Sequence, residues 1–303
     1  MNRPDINLKP DSIATSYAEP LLQRAVGQVR VGFKRRGELT VLKDLFQQGS
    51  GKVRLPQLQE SEVCEAVLIN TSGGLTDHDR FAVDAHWDAD TTAVVTTQAA
   101  ERIYKSRHHA AYIDTSLTLQ DNALGFWLPQ ETILFDRGRF KRQCNVTMAK
   151  GSKLLACESM VFGRAAMGEQ VHTGFLAENW AVRYDGRLVF ADNSRLEGDI
   201  LETLKEPSVA NGMQAWGTVL YVAENAEEFV ETVRKIGQHE NVLMACSVRG
   251  PVLVIRILGK SGAEMRAMLT DVLETLYSSL MNKSKSQTVT HGQDQILPRV
   301  WYC

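Results

Sequence analysis

Between Phe81 and Asp90 the side chains change character at almost every step. Phe81, Val83, Ala85, Trp87 and Ala89 fall on one side, and Ala82, Asp84, His86, Asp88 and Asp90 on the other. Successive side chains of an extended chain point to opposite faces, so this period of two predicts a strand with one buried and one acidic face. Thr91–Thr97 is rich in β-branched residues and reads as the next strand. Asp185-Gly186 carries a hairpin signal between Trp180–Arg183 and Leu188–Ala191. From about Gln28 to Leu196 the pattern is one of short strands broken by turns, without a repeat of fixed period. The fold class expected is mainly β and layered.

The C-terminal third changes pattern. Trp216–Ala223 reads as a strand. Asn225 and Glu228 then read as a capping box opening a helix whose apolar face is Phe229, Val230, Val233 and Ile236, with Gly237 at its end. Strands Val242–Val248 and Val252–Leu258 follow. Ser261 with Glu264 opens a second helix, with the stripe Met265, Met268, Leu269, Val272, Leu273, Leu276 and Leu280. Its methionines read as core filler. Residues 1–18 are polar and Pro-punctuated and are expected to be mobile. Residues 19–303 read as a single domain: a β-rich part (19–212), a β-α-β-β-α part (213–282), and a polar linker with the tail LPRVWYC (283–303).

Charge and composition exclude several classes. Lys plus Arg number 34 against 36 Asp plus Glu, a net charge of −2. That balance argues against nucleic acid and anionic lipid as partners; Lys34-Arg35-Arg36 and Arg137–Arg142 read as solvated loops. The apolar run Val252–Leu258 is interrupted by Arg256 and is too short to span a bilayer. The 5 cysteines are widely spaced with no C-x-x-C pair, which predicts free thiols in a reducing cytosol. Two phosphate-loop fragments fail: Phe46 stands at the first glycine position before Gly49-Ser50-Gly51-Lys52, and Val254 does so before Gly259-Lys260-Ser261. No G-x-S-x-G elbow is present. Cys64 or Cys157 with a histidine, or a pair drawn from Glu131, Asp136, Glu158 and Glu169, leaves a hydrolase as an alternative. The stretch Asp77–Asp90 also gathers His78, Asp79, Asp84, His86 and Asp88. Imidazole with carboxylate suits nickel or zinc, and a solvated acidic edge face is the other reading.

Five segments occur in order: LINTSGGLT (Leu68–Thr76), TTQAAERIY (Thr96–Tyr104), LPQETILFD (Leu128–Asp136), GRAAMGE (Gly163–Glu169) and LPRVW (Leu297–Trp301). From about Gly49 to the C-terminus the chain resembles the urease accessory protein family UreD, also called UreH. The resemblance implies a non-enzymatic, cytoplasmic protein. It implies direct binding to UreF, binding to the GTPase UreG through UreF, and action on the urease apoprotein, to which nickel is delivered. The implied fold is largely β and helically wound, with two α-helices late in the chain. An internal polar tunnel is implied too, with transient Ni2+ and no tightly bound cofactor. By motif its transit ligands are Asp79, Thr96, Thr97, Gln98, Glu131, Glu158 and Glu169; His78, Asp84, His86 and Asp88 form a weaker set. A scaffold that conducts nothing is the alternative. The family commonly reads SGGLTGGD, whereas Asp77-His78 replaces the second Gly-Gly here. For the tail, Arg299, Trp301 and Tyr302 are expected to dock on UreF; alternatively Leu297, Val300 and Trp301 fold back as a strand plugging the chain's own core.

Overall fold

The computed structural model describes residues 23–56, 63–164, 167–284 and 296–302. Strands β1 (Val26–Arg36), β2 (Leu39–Gly49), β3 (Gly51–Arg54) and β4 (Cys64–Asn70) open the fold. They are followed by β5 (Arg80–Trp87), β6 (Thr92–Thr97), β7 (Glu101–Ile103), β8 (Ala111–Leu119), β9 (Leu124–Leu128) and β10 (Thr132–Leu134). Then come β11 (Arg139–Met148), β12 (Lys153–Phe162), β13 (Thr173–Tyr184) and β14 (Arg187–Asp199). The last part holds α1 (Ile200–Lys205), β15 (Ala215–Val222), α2 (Val230–Arg234), β16 (Val242–Arg249), β17 (Val252–Gly259) and α3 (Gly262–Ser284).

The strands make two facing sheets. One has the order β14-β13-β11-β8-β5-β1-β2 and the other β16-β17-β15-β12-β9-β6-β4-β3. In the first, β1, β5, β8, β11 and β13 are mutually parallel; in the second, β4, β6, β9 and β12 are. The chain alternates between the sheets, and each turn of the winding adds one strand to each. The helically wound layering is therefore present. Antiparallel pairs close both ends: β1 with β2 and β3 with β4 at one, and β13 with β14 and β12 through β15 to β17 and β16 at the other.

Burial follows the period of two. Phe81, Val83, Ala85 and Trp87 enter the core between the sheets, beside Val31, Phe33, Leu119, Phe140 and Leu154. The second sheet is the middle layer. Its other face packs Phe126, Leu155 and Tyr221 against Met265, Met268, Val272 and Leu276 of α3, so these methionines are core.

Several expectations need correction. β5 stops at Trp87, and Asp90 turns the chain with φ 57°. β5 also lies between β1 and β8, so its acidic face is not an edge. Arg139–Met148 is a strand, not a loop. Asn225 does not cap a helix: its Oδ1 accepts the Tyr221 hydroxyl at 2.9 Å, and a 3-10 turn, Ala226–Phe229, precedes the short α2, which ends before Gly237. The Ser261 box does form, with Ser261 Oγ accepting the Glu264 N–H at 3.2 Å and donating to its carboxylate at 2.7 Å. The short helix α1, capped by Asp199 accepting from Glu202 N–H at 3.0 Å, is an addition. Helix α3 runs through Ser284, beyond the expected linker start at Lys283. The expected mobile segment 1–18 and the linker residues 285–295 lie outside the described residues. Arg299–Trp301 is a 3-10 turn, not a strand. The hairpin at Asp185-Gly186 is as read, with φ 49° and 73°.

Candidate functional site: two chambers between the sheets

Along β11 the residues Phe140, Arg142, Cys144, Val146 and Met148 all point inward, and along β13 so do Leu176, Glu178, Trp180 and Val182. This alternation carries one cation and one anion into the inter-sheet space. Glu158 of β12 meets them from the opposite sheet. Arg142 Nε lies 3.0 Å from Glu158 Oε2, and Arg142 Nη2 donates to Glu178 Oε1. Arg142 Nη1 donates to Thr132 Oγ1 at 3.1 Å, and Trp216 Nε1 donates to Glu178 Oε2 at 3.2 Å. All three charged side chains are buried. Buried charges persist only when they are compensated; all three of these are ion-paired, and Arg142 and Glu178 are hydrogen-bonded as well. Burial opposes the charge on Arg142, but Glu158 and Glu178 outweigh it and hold the guanidinium protonated. Burial pushes the Glu158 carboxyl up to about 7; Arg142 pulls it back and Glu178 adds to the rise.

This cluster separates two chambers. The first, about 190 Å³, is walled by Thr97, Gln98, Glu101, Thr115, Trp127 and Thr132, with Arg142 and Glu158 at its inner end. The second, about 480 Å³, is walled by Glu178, Trp180, Asp192, Thr218 and Arg256, and again by Arg142 and Glu158. Arg142 and Glu158 are the residues the two walls share. Thr115 Oγ1 is buried against the first chamber without a protein hydrogen-bond partner, so that wall calls for a polar occupant. Farther out, burial raises the Glu101 carboxyl, which accepts from Asn70 Nδ2 at 3.0 Å. The Ser-Gly-Gly turn borders the same chamber. Gly74 sits at φ 141°, and a Cβ there would lie 2.4 Å from the Tyr104 ring and 2.7 Å from the Arg102 carbonyl. Only glycine lets this wall close.

Of the residues expected on a transit route, Thr97, Gln98 and Glu158 line the first chamber. The others are elsewhere. Asp79 is a structural clasp, its carboxylate accepting the Ala25 N–H at 2.7 Å and the Thr76 N–H at 2.9 Å. Thr96 donates to the Leu128 carbonyl at 2.6 Å. Glu131 pairs with Arg266 of α3 at 2.6 Å. Glu169 pairs with Arg164 at 2.6 Å beside a separate surface hollow formed with Tyr104, Phe135 and Arg137.

The weaker set does not converge either. Asp84 pairs with Arg30, and Asp88 with Lys43 and His86. His78 adopts φ 65°, a left-handed geometry that glycine favours, and its ring stacks on His109 at 3.9 Å. Asp77 accepts the His109 N–H at 2.6 Å, which ties this turn to the next loop. Among the described residues no three His, Cys, Asp or Glu side chains are grouped as a metal site. Trp301 is buried in the chain's own core, with Nε1 donating to the Leu128 carbonyl at 3.2 Å. Arg299 is exposed, and the partly exposed Tyr302 donates to Glu274 at 2.6 Å. Of the two candidate nucleophiles, Cys157 is buried and Cys64 partly so, and burial raises the pKa of both thiols, the opposite of what a nucleophile needs.

Sequence reasoning missed Arg142 and Glu178, although the alternation Phe140-Arg142-Cys144 and Leu176-Glu178-Trp180 was there to read.

The profile of the family described as UreD urease accessory protein matches residues 25–301. The chain belongs to the UreD family. It is 38% identical over 263 residues to the urease accessory protein UreD of Mesorhizobium japonicum, covering 86% of this chain and 94% of that one. It is 39% identical over 274 residues to UreD of Rhodopseudomonas palustris strain BisA53, covering 89% and 94%. With UreD of Azorhizobium caulinodans it shares 41% identity over 217 residues, 72% and 80% of the two chains. UreD membership gives the chain a role in urease maturation. No helix among the described residues is long and apolar enough to cross a membrane.

Proposed function

We propose that this UreD-family chain is a non-enzymatic, cytoplasmic scaffold that binds UreF directly and UreG through it, and passes nickel between the sheets toward apo-urease. One observation carries the reading: two inter-sheet chambers abut at a single shared wall made by Arg142 and Glu158. The walls on both sides offer carboxylate, hydroxyl and amide oxygens, from Gln98, Glu101, Thr115, Glu178 and Asp192. Oxygen ligands in ones and twos hold a divalent ion loosely and release it, whereas a closed cage of thiolates and imidazoles would retain it. The buried Arg142 favours a second reading, a scaffold that conducts nothing, because a fixed cation repels a mobile one.

Glu158→Gln separates the two. If nickel passes this point, the variant assembles with its partners while the nickel content of the matured urease falls. Full nickel loading with Glu158→Gln supports the plain scaffold instead.

A further inference from the structure

The two chambers meet at Arg142 and Glu158, which line both. The guanidinium of Arg142 occupies the place between Glu158 and Glu178, 3.0 Å from the first and hydrogen-bonded to the second, with Thr132 Oγ1 at 3.1 Å. Two carboxylates and a hydroxyl are an oxygen set suited to a divalent cation, and here a side chain of the protein fills it. We infer that Arg142 is a built-in counter-ion, and that a divalent cation crosses between the chambers by displacing its guanidinium from Glu158 and Glu178. The inference rests on the transit reading and adds the seat and the rule for occupying it.

Charge balance supports exchange. With both carboxylates ionised, the cluster carries −1 when Arg142 is seated. A divalent ion in its place brings the two carboxylates to zero and leaves the displaced guanidinium as a net +1, so the site stays one charge from neutrality on either side of the exchange. The displaced guanidinium ends a flexible side chain that borders both chambers, so it has room on either side. A monovalent ion brings no more charge than the guanidinium and lacks its forked donors. The seat therefore discriminates against sodium and potassium without a fixed cage. While no cargo is present Arg142 offsets one of the two buried carboxylate charges, whereas a bare acidic channel would leave both uncompensated.

The test uses the full chain and nickel sulfate alone, with equilibrium dialysis and melting temperature as readouts. Removing the internal competitor in Arg142→Gln is expected to raise nickel affinity at least about tenfold and to make the melting temperature rise with nickel, while sodium has no such effect. Arg142→Lys keeps a charge but loses the fork, and falls between. A folded Arg142→Gln with the parental nickel affinity overturns the inference. If Arg142→Gln does not fold even with nickel present, Arg142→Lys decides, and unchanged affinity there is equally fatal. Failure of this inference is distinct from failure of the transit reading. Glu158→Gln lowering urease nickel while the Arg142 variants bind as the parent leaves transit standing and removes displacement; unaltered urease nickel removes transit itself.

Discussion

Replacing Trp301 by alanine tests whether the tail belongs to the fold or to a partner. The indole is 3% exposed and packs with Phe126, Leu269, Leu273 and Leu297 in the core beneath α3. Its Nε1 donates to Leu128 of β9, Arg266 of α3 lies 4.9 Å from its ring centroid, and Arg266 Nη2 donates to the Trp301 carbonyl at 3.0 Å. One side chain thus ties the C-terminus to the middle sheet and the long helix. Truncating a buried tryptophan costs roughly 3–5 kcal/mol. With an unfolding entropy of about 2.1 cal/mol/K per residue, that lowers the melting temperature of a chain this size by roughly 5–8 °C. Differential scanning fluorimetry of Trp301→Ala beside Tyr302→Ala reads this directly. The exposed ring of Tyr302 makes the second a milder change, and deletion of 297–303 follows Trp301→Ala. An unchanged melting temperature in Trp301→Ala, together with lost partner binding, refutes the core assignment.

Asp79→Ala leaves the N–H groups of Ala25 and Thr76 without their acceptor, so it destabilises the chain by roughly 2 kcal/mol or more; urea denaturation checks it, and unaltered stability with lowered urease nickel returns Asp79 to the transit set. Gly74→Ala forces a left-handed residue into the Tyr104 ring, and the expected result is a drop in stability of at least about 1 kcal/mol with loss of urease nickel loading out of proportion to that drop, measured on the assembled complex. Glu158 supplies a pH test. Its folded pKa is raised from 4.5 to about 7, so the folded state holds the proton more tightly and the parent loses stability as pH rises through that window. The slope is at most about 1.4 kcal/mol per pH unit. Glu158→Gln removes this contribution, and denaturant melts across the window should show its stability improving relative to the parent; parallel curves defeat the assignment.

Phe81 to Trp87 showed its orientation, and Asp185-Gly186 its hairpin, because local chemistry decides both. Asn225 failed because the hydroxyl of Tyr221, just upstream at the end of β15, claims the side-chain oxygen a capping box needs. The basic run Arg137–Arg142 was misjudged because charge density was weighed and alternation was not; Arg142 shares its face with Phe140 and Cys144. Motif position pointed equally to Thr97, Gln98 and Glu158, which line a chamber, and to Asp79 and Thr96, whose side chains bind backbone groups. No local pattern reports whether a polar side chain faces a chamber or a neighbouring carbonyl. That depends on which sheet face it occupies: Thr97 lies on the chamber side of β6, while Thr96 reaches across to Leu128.

The alternation of the chain between two sheets has a consequence for synthesis on the ribosome. Parallel neighbours such as β5 and β8, or β9 and β12, are brought together only after the intervening strand of the other sheet has been laid down. Such pairings are distant in sequence and form slowly. At each stage of elongation the newest coil presents an unpaired edge to the surrounding solution. Closure at that end waits for β14 and for β15 to β17, which leave the ribosome late. A nascent chain stalled after β12 therefore carries open edges on both sheets, ready to accept a strand from another copy.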